Sequence, residues 1–278
     1  LNRVASDRHA RLLVSALDDR LAVPVLGWLP TAPTLALPGR HLGLVQAGEH
    51  GDLDAMLDRA ADLVGDHLDL ERLVKIARVP SITAFGRALG ALPPLGQRIA
   101  VADDEAFAFS YPHILAGWRD AGAELMPFSP LADETPGATA DAVYLPGGYP
   151  ELHALRLAAA GRLMAGLAAA AARGAVIYGE CGGYMVLGRT LVDQAGAAHP
   201  MAGLLPLTTS LAPPERQLGL RRIELLADGP LGSAGSRFRG HEFHYAREIE
   251  RGGEPLFGAA DALAVPCGAV GCRVGRVM

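Results

Sequence analysis

The stretch Ala175-Val176-Ile177-Tyr178-Gly179-Glu180-Cys181-Gly182-Gly183-Tyr184-Met185-Val186-Leu187 constrains this chain more than any other. A short apolar, β-branched run ends in Gly-x-Cys-x-Gly, and helix-compatible residues follow. That is the layout of a nucleophile elbow, a sharp strand-to-helix turn that lifts a reactive side chain above a parallel sheet. The nucleophile in such a turn holds a strained backbone. The residues two before and two after it meet across the bend, so Gly179 and Gly183 fit the need. The turn also sets Cys181 at a helix N-terminus, whose free N–H groups favour a thiolate. A helix end contributes about 0.3–1 kcal/mol, and one pKa unit is about 1.36 kcal/mol. The turn alone cannot ionise a thiol of pKa about 8.5, so a basic partner, ordinarily His, is expected. The alternative is a buried, inert Cys beside a flexible Gly turn. Glycines on both sides, at the end of a strand, favour the elbow.

The 278 residues leave room for one large domain or two ordinary ones, and 50% of them are apolar against 20% charged, enough for a sizeable core. The net charge of −5 is mild and no Lys/Arg run occurs, so nucleic acid is not an expected partner. Three Cys in so long a chain form no disulfide framework, which makes a reducing cytoplasm the expected location. The most apolar helix-like run, Leu163 to Ala172, is too short to span a bilayer, and no membrane partner is expected. The start Leu1-Asn2-Arg3 has neither Met nor a cleavable leader and reads as the middle of a longer reading frame. Gly271 to Met278 reads as a strand cut short.

Taken in order, Ser6 caps a helix running to about Arg20. Leu21 to Leu29 is a β-rich stretch broken by Pro24, and a loop with Pro33 and Pro38 follows. Apolar residues at helical spacing from Leu53 to about Ala77 predict one long helix or a pair. Residues 79–97 hold several Pro and Gly and read as a linker between a first part, 1–78, and a second, 98–278. In the second part, strands are expected at Arg98–Ala102, Leu125–Phe128, Ala142–Leu145, Arg221–Leu226, Phe238–Tyr245, Ala262–Val265 and Gly271–Val277. Helices are expected at Tyr111–Ala121 and Leu155–Arg173. Strands alternating with helices imply an α/β fold with a mostly parallel, doubly wound sheet.

Pro146-Gly147-Gly148 follows a strand one βα unit before the elbow. Adjacent glycines let backbone N–H groups face a developing oxyanion together with that of Gly182. His241-Glu242-Phe243-His244-Tyr245 lacks the helical His-Glu-x-x-His spacing, and in a strand its two His fall on opposite faces. A substrate-contacting or structural role is expected there and no metal site. Cys267 and Cys272 have no second ligand pair nearby and read as inert thiols. Asp103-Asp104-Glu105 follows a strand at the sheet edge where ligands bind, or is a solvated acidic loop.

Together these motifs resemble the cobyrinate or hydrogenobyrinate a,c-diamide synthases of cobalamin biosynthesis. The matching pieces are Leu1-Asn2-Arg3-Val4, Ser6-Asp7-Arg8-His9, Gly27-Trp28-Leu29-Pro30 and Arg40-His41-Leu42-Gly43-Leu44-Val45. Further on they are Asp104-Glu105-Ala106-Phe107, Phe128-Ser129-Pro130-Leu131, Pro146 to Glu151, Glu180-Cys181-Gly182-Gly183 and Gly240 to Tyr245. The resemblance implies the C-terminal part of a P-loop, dethiobiotin-synthetase-like ATPase domain over 1–78. A flavodoxin-like class I glutamine amidotransferase domain would follow over 98–278. It implies a carbon–nitrogen ligase in which Cys181 frees ammonia from glutamine through a thioester, with Gly148 and Gly182 in the oxyanion hole. ATP and Mg²⁺ would activate the a and c carboxylates of cobyrinate or hydrogenobyrinate. Asn2 resembles the adenine-contacting position, and Glu180, Tyr184, His241 and His244 are candidate substrate contacts. A homodimer is left open. The family's P-loop would lie before residue 1 and its catalytic His just beyond Met278, so the chain as written is expected to have little glutaminase and no synthase activity.

Two other readings compete. A stand-alone Cys hydrolase on a similar fold would need a complete Cys–His pair within the chain. A non-catalytic tetrapyrrole- or glutamine-binding module would keep Cys181 as a structural residue.

Overall fold

The computed structural model describes residues 1–21, 23–37, 39, 45–78 and 92–278. Residues 79–91 of the expected linker 79–97, and 40–44 of the motif Arg40 to Val45, lie outside the described residues. The chain folds as two compact units, Leu1–Ala88 and Leu89–Met278.

In the first unit, α1 (Asp7–Asp18) begins where the Ser6 hydroxyl accepts the His9 N–H at 3.2 Å. The expected long helix is a pair, α2 (Leu53–His67) and α3 (Leu70–Ile76), and the Asp69 carboxylate caps α3 through the Arg72 N–H at 2.9 Å. Leu21 to Leu29 is not a strand among the described residues. Only Gly27 and Pro30 make isolated bridges, to Leu68 and Val4. Pro24 removes a ladder donor, and Gly27 turns to φ +148°, outside the extended region of other residues. Among the described residues of this unit Val4 and Ala10 are the buried apolar ones, while Leu57, Leu73 and Val74 stay exposed.

The second unit is built on β1 (Arg98–Ala102), α4 (Pro112–Asp120), β2 (Glu124–Phe128), β3 (Ala142–Leu145), α5 (Ala154–Ala159), α6 (Gly161–Ala172), β4 (Val176–Gly179) and α7 (Gly182–Leu187). The four strands form a parallel sheet in the order β2-β1-β3-β4, as expected of this α/β pattern. Residues 276–278 extend it beyond β4. Ile177 N–H donates to the Arg276 carbonyl at 3.0 Å, and Gly179 N–H to the Met278 carbonyl at 2.8 Å. Alternate strand residues enter different cores. Ala100, Val143, Leu145 and Ile177 pack with Leu157, Leu163 and Leu167 of α5 and α6. Ile99, Val101, Tyr144 and Val176 pack with Trp118 of α4 and with Leu225, Leu256 and Phe257. Covering on both faces is why these strands read as continuous apolar runs.

After α7 the alternation of strand and helix stops. β5 (Thr190–Val192), β6 (Ala198–Pro200), β7 (Leu207–Ser210) and β10 (Arg247–Arg251) form a mixed sheet in the order β10-β7-β5-β6. β8 (Gln217–Leu225), β9 (Arg237–His244), β11 (Glu254–Ala260) and β12 (Pro266–Arg273) form an antiparallel one in the order β12-β11-β8-β9. Ala262 to Val265 is therefore the loop between β11 and β12 and not a strand. Asp261 accepts the N–H groups of Leu263 and Val265 at 2.9 and 2.8 Å, and Ala264 turns to φ 68°. The helix expected over Leu155–Arg173 is broken at Ala160, with a bend of 89°. The Asp133 carboxylate, from a distant loop, accepts the Leu163 N–H at 2.8 Å and so caps a fresh start for α6. Among the described residues no single helix is long and apolar enough to cross a membrane.

Asp104, read from sequence as a ligand-edge or solvated acid, is a structural knot. It accepts Ala106 N–H at 2.9 Å, Ser129 hydroxyl at 2.9 Å and Leu131 N–H at 2.8 Å, tying the loop after β1 to the loop after β2. Asp104→Ala should lower stability by about 2–4 kcal/mol, seen as an earlier midpoint in urea followed by tryptophan fluorescence. An unchanged midpoint would show the knot to be idle.

Candidate active site

Cys181 stands between the end of β4 and the start of α7, with φ 50° and ψ −114°. Among the described residues only four other than Gly have positive φ, and such a conformation costs about 1–3 kcal/mol unless its surroundings enforce it. Here they do. The Gly183 N–H reaches the carbonyls of Pro146 at 3.1 Å and Glu180 at 2.9 Å, and the Glu180 N–H reaches the Leu145 carbonyl at 3.1 Å. A Cβ on Gly183 would run into the Leu145 carbonyl oxygen, and one on Gly179 would lie 2.7 Å from Gly183. The bend closes only because both are glycine.

The loop after β3 meets this crest. A Cβ on Gly147 would sit 3.2 Å from Cys181 Cβ and 3.7 Å from its Sγ, which places the sulfur beside that loop and outside the apolar core. The loop is held from behind. Phe109 N–H donates to the Gly147 carbonyl at 2.9 Å, and the Tyr149 ring meets the Phe109 ring edge-on at 5.0 Å. A Cβ on Gly148 would collide with the Ala106 carbonyl oxygen, in the segment that Asp104 anchors.

Cys181 is exposed as a residue, open to a reagent, although protein atoms crowd the sulfur. Access follows the first property and ionisation the second. Burial is the largest influence on the thiol and raises its pKa. N–H groups of Gly182 and Gly148 lower it by hydrogen bonding, Glu151 and Glu180 raise it again, and the result is about 11. The two amides named from sequence as oxyanion donors are thus both directed at the sulfur.

Glu180 points to two tyrosines. Its Oε1 accepts the Tyr144 hydroxyl at 2.5 Å and its Oε2 the Tyr178 hydroxyl at 3.4 Å. Burial raises the Glu180 pKa, and hydrogen bonds from those hydroxyls and the nearby His241 only partly offset this. Tyr184 lines the same cleft as Cys181, but its hydroxyl donates to the buried Cys272 sulfur at 3.2 Å. His241 Nε2 lies 3.1 Å from the Tyr111 hydroxyl. His244 is partnered at both ring nitrogens, by the Ala246 carbonyl at 2.8 Å and the Glu242 carboxylate at 2.8 Å. Burial alone would raise the Glu242 pKa, but His244 and Arg221 bring it below its usual value. The cleft of about 630 Å³ joins Cys181, Glu180, Tyr184, His241 and His244 in one site. Asn2 belongs to the first unit, where its Oδ1 accepts the Arg3 N–H at 2.9 Å.

Sequence reasoning missed Tyr111, Tyr144 and Tyr178. Tyr144 and Tyr178 are next to last in strands β3 and β4, opposite each other in register, and their rings stack with centroids 6.1 Å apart. The visible signal was tyrosine at the same place in two consecutive strand endings. Because the folded thiol pKa is raised, Cys181 is protonated at neutral pH and becomes reactive only as pH climbs. Its alkylation by iodoacetamide should rise roughly tenfold per pH unit toward about 11. A plateau near the ordinary thiol value of about 8.5 would contradict this.

Residues 98–275 match the family of CobB/CobQ-like glutamine amidotransferase domains. The hydrogenobyrinate a,c-diamide synthase of Brucella anthropi is 52% identical over 278 residues, covering 100% of this chain and 63% of that protein. The enzyme of the same description from Rhodobacter capsulatus is 52% identical over 277 residues, covering 100% and 62%. The chain thus spans about 63% of the length of these curated relatives. Among solved structures, that of PurLQS from Thermotoga maritima aligns with a TM-score of 0.44 at 18% identity, over 65% of this chain and 84% of that one. With the family matched over β1 to β4 and the elbow, and over most of the chain, the chain belongs to the CobB/CobQ-like glutamine amidotransferases.

Proposed function

We propose that this chain carries the ammonia-releasing part of a hydrogenobyrinate a,c-diamide synthase, a cytoplasmic ligase of cobalamin biosynthesis. The observation that carries the reading is Cys181 at φ 50°, with the amides of Gly148 and Gly182 directed at its sulfur. A thiolate there attacks the side-chain carboxamide carbon of glutamine. The carbonyl oxygen takes the negative charge and moves into reach of the two N–H groups. Collapse of that adduct breaks the C–N bond, the nitrogen takes from solvent a proton equivalent to the one the thiol released on ionising and leaves as ammonia, and a glutamyl thioester remains on Cys181. Water then cleaves the thioester, giving glutamate and the free thiol.

The substrate that receives the ammonia is taken from the relatives' names, hydrogenobyrinate with two acetate carboxylates to be amidated. In the family the chain resembles, ATP with Mg²⁺ activates those carboxylates. We read the first unit as part of that ATP-binding domain, and the exposed Leu57, Leu73 and Val74 support its being part of a larger body. Its described residues do not by themselves fit the nucleotide. Asn2 spends its amide oxygen on Arg3, and no group of three or more acidic, His or Cys residues is positioned for a metal among the described residues.

Glu180 holds the elbow to the ends of β3 and β4 through the two tyrosines, which favours a positioning role over contact with glutamine. Among the described residues no imidazole is hydrogen-bonded to Cys181, and its thiol pKa is about 11. General-base help is worth about 10²–10⁴ in rate. The 278-residue chain should therefore hydrolyse glutamine slowly, faster at high pH, and Cys181→Ala should abolish the release of glutamate. Undiminished release by Cys181→Ala would refute the assignment. A fast, neutral-pH activity lost in His241→Ala would instead make that imidazole the base.

A further inference from the structure

The two amides directed at Cys181 are held by different means. That of Gly182 opens α7, and the helix fixes it. That of Gly148 lies in the loop after β3. Among the described residues neither N–H has a backbone acceptor. The Gly148 N–H belongs to the peptide between Gly147 and Gly148, and glycines on both sides let a peptide rotate with little hindrance. Neither glycine can be given up. A Cβ on Gly147 would crowd Cys181, and one on Gly148 would collide with the Ala106 carbonyl oxygen. The loop narrow enough to pass the sulfur is thus poorly able to orient its own amide.

The other end of that peptide supplies the hold. A trans peptide is planar, and its C=O and N–H point opposite ways. The Gly147 carbonyl accepts the Phe109 N–H at 2.9 Å, in an antiparallel bridge. With the carbonyl turned to Phe109, the Gly148 N–H is turned the other way, to the sulfur. Phe109 is secured in turn. The Asp104 carboxylate accepts the Ala106 N–H at 2.9 Å, and the Asp104 carbonyl accepts the Phe107 N–H at 3.0 Å. Ala106 and Phe107 are fully buried, and the Phe109 ring meets that of Tyr149.

We propose that Phe109 and Asp104 are positioning residues for the Gly148 amide. The Phe109 backbone N–H locks the peptide between Gly147 and Gly148, and the Asp104 carboxylate holds Phe109 where it can do so. Rotation of the unlocked peptide would turn the Gly147 carbonyl toward the sulfur, setting an acceptor where the developing oxyanion needs a donor. The inference rests on the glutaminase reading and adds to it what orients the half of the oxyanion hole that no helix fixes.

The test compares two rates at Cys181 at one alkaline pH. Alkylation by iodoacetamide needs the thiolate alone, whereas glutamate release also needs a stabilised oxyanion, so the ratio of the two reports the oxyanion hole. Phe109→Pro and Phe109→Leu both lose the ring, and only the first loses the N–H. Asp104→Asn is compared with Asp141→Asn. Asp141 accepts the N–H groups of Gln97 and Arg98 at 3.1 and 2.9 Å, at the opposite end of β1 and β3 from Cys181. The ratio of glutamate release to alkylation should be lower by about tenfold or more in Phe109→Pro than in Phe109→Leu, and in Asp104→Asn than in Asp141→Asn. The loss should fall on kcat, with KM within about threefold. Should Phe109→Pro not fold, the Asp104 comparison decides alone. An unchanged ratio in both comparisons would overturn the inference and leave the glutaminase reading standing. Equal losses within each pair would assign Phe109 and Asp104 to general packing, which also overturns it. If the unaltered chain is alkylated at Cys181 but releases no glutamate, the glutaminase reading itself falls.

Discussion

A single residue in the left-handed half of backbone space governs this molecule. Cys181 can keep φ 50° only because the chain on each side of it is clamped, by the Gly183 N–H shared between two carbonyls and by Gly183 lying against the Leu145 carbonyl. The strain of about 1–3 kcal/mol is offset by those bonds and by burial of Val186 and Leu187 in the core beneath. The same clamp settles where the loop after β3 must run, because Gly147 and Gly148 have to pass beside the sulfur. That loop depends in turn on Phe109 and, behind it, on Asp104.

The elbow controls the position of the sulfur more than its charge. Two backbone amides aimed at it stabilise a thiolate, yet the crowding that aims them also removes water, and the second effect is larger. The amides are thus better suited to the charge that develops on a substrate oxygen than to the resting thiol. Glu180 follows the same logic. Its carboxylate is partnered by Tyr144 and Tyr178, which fixes the residue next to the nucleophile without offering that nucleophile a positive neighbour.

Much of this was legible in the sequence where local pattern and burial coincide. Arg98–Ala102 and Ala142–Leu145 are apolar runs because both faces of the sheet are covered, and they fall where the pattern puts them. The turn at Cys181 declares itself through glycines that nothing else could replace. What escaped depends on partners far away in the chain. The break at Ala160 needs the Asp133 carboxylate, the strands after α7 pair across tens of residues, and the tyrosines around Glu180 meet only once β3 and β4 lie side by side. Asp104 read as a ligand-edge or solvated acid because its three donors come from loops that periodicity does not describe.

The most direct measurement is the covalent state of the chain during reaction with glutamine. Rapid acid quenching at alkaline pH, followed by mass spectrometry of peptides, should find a glutamyl group on Cys181 and none on Cys267 or Cys272. A glutamyl group on either of the other thiols, or none anywhere while glutamate accumulates, would contradict the role given to the sulfur at the crest of the turn.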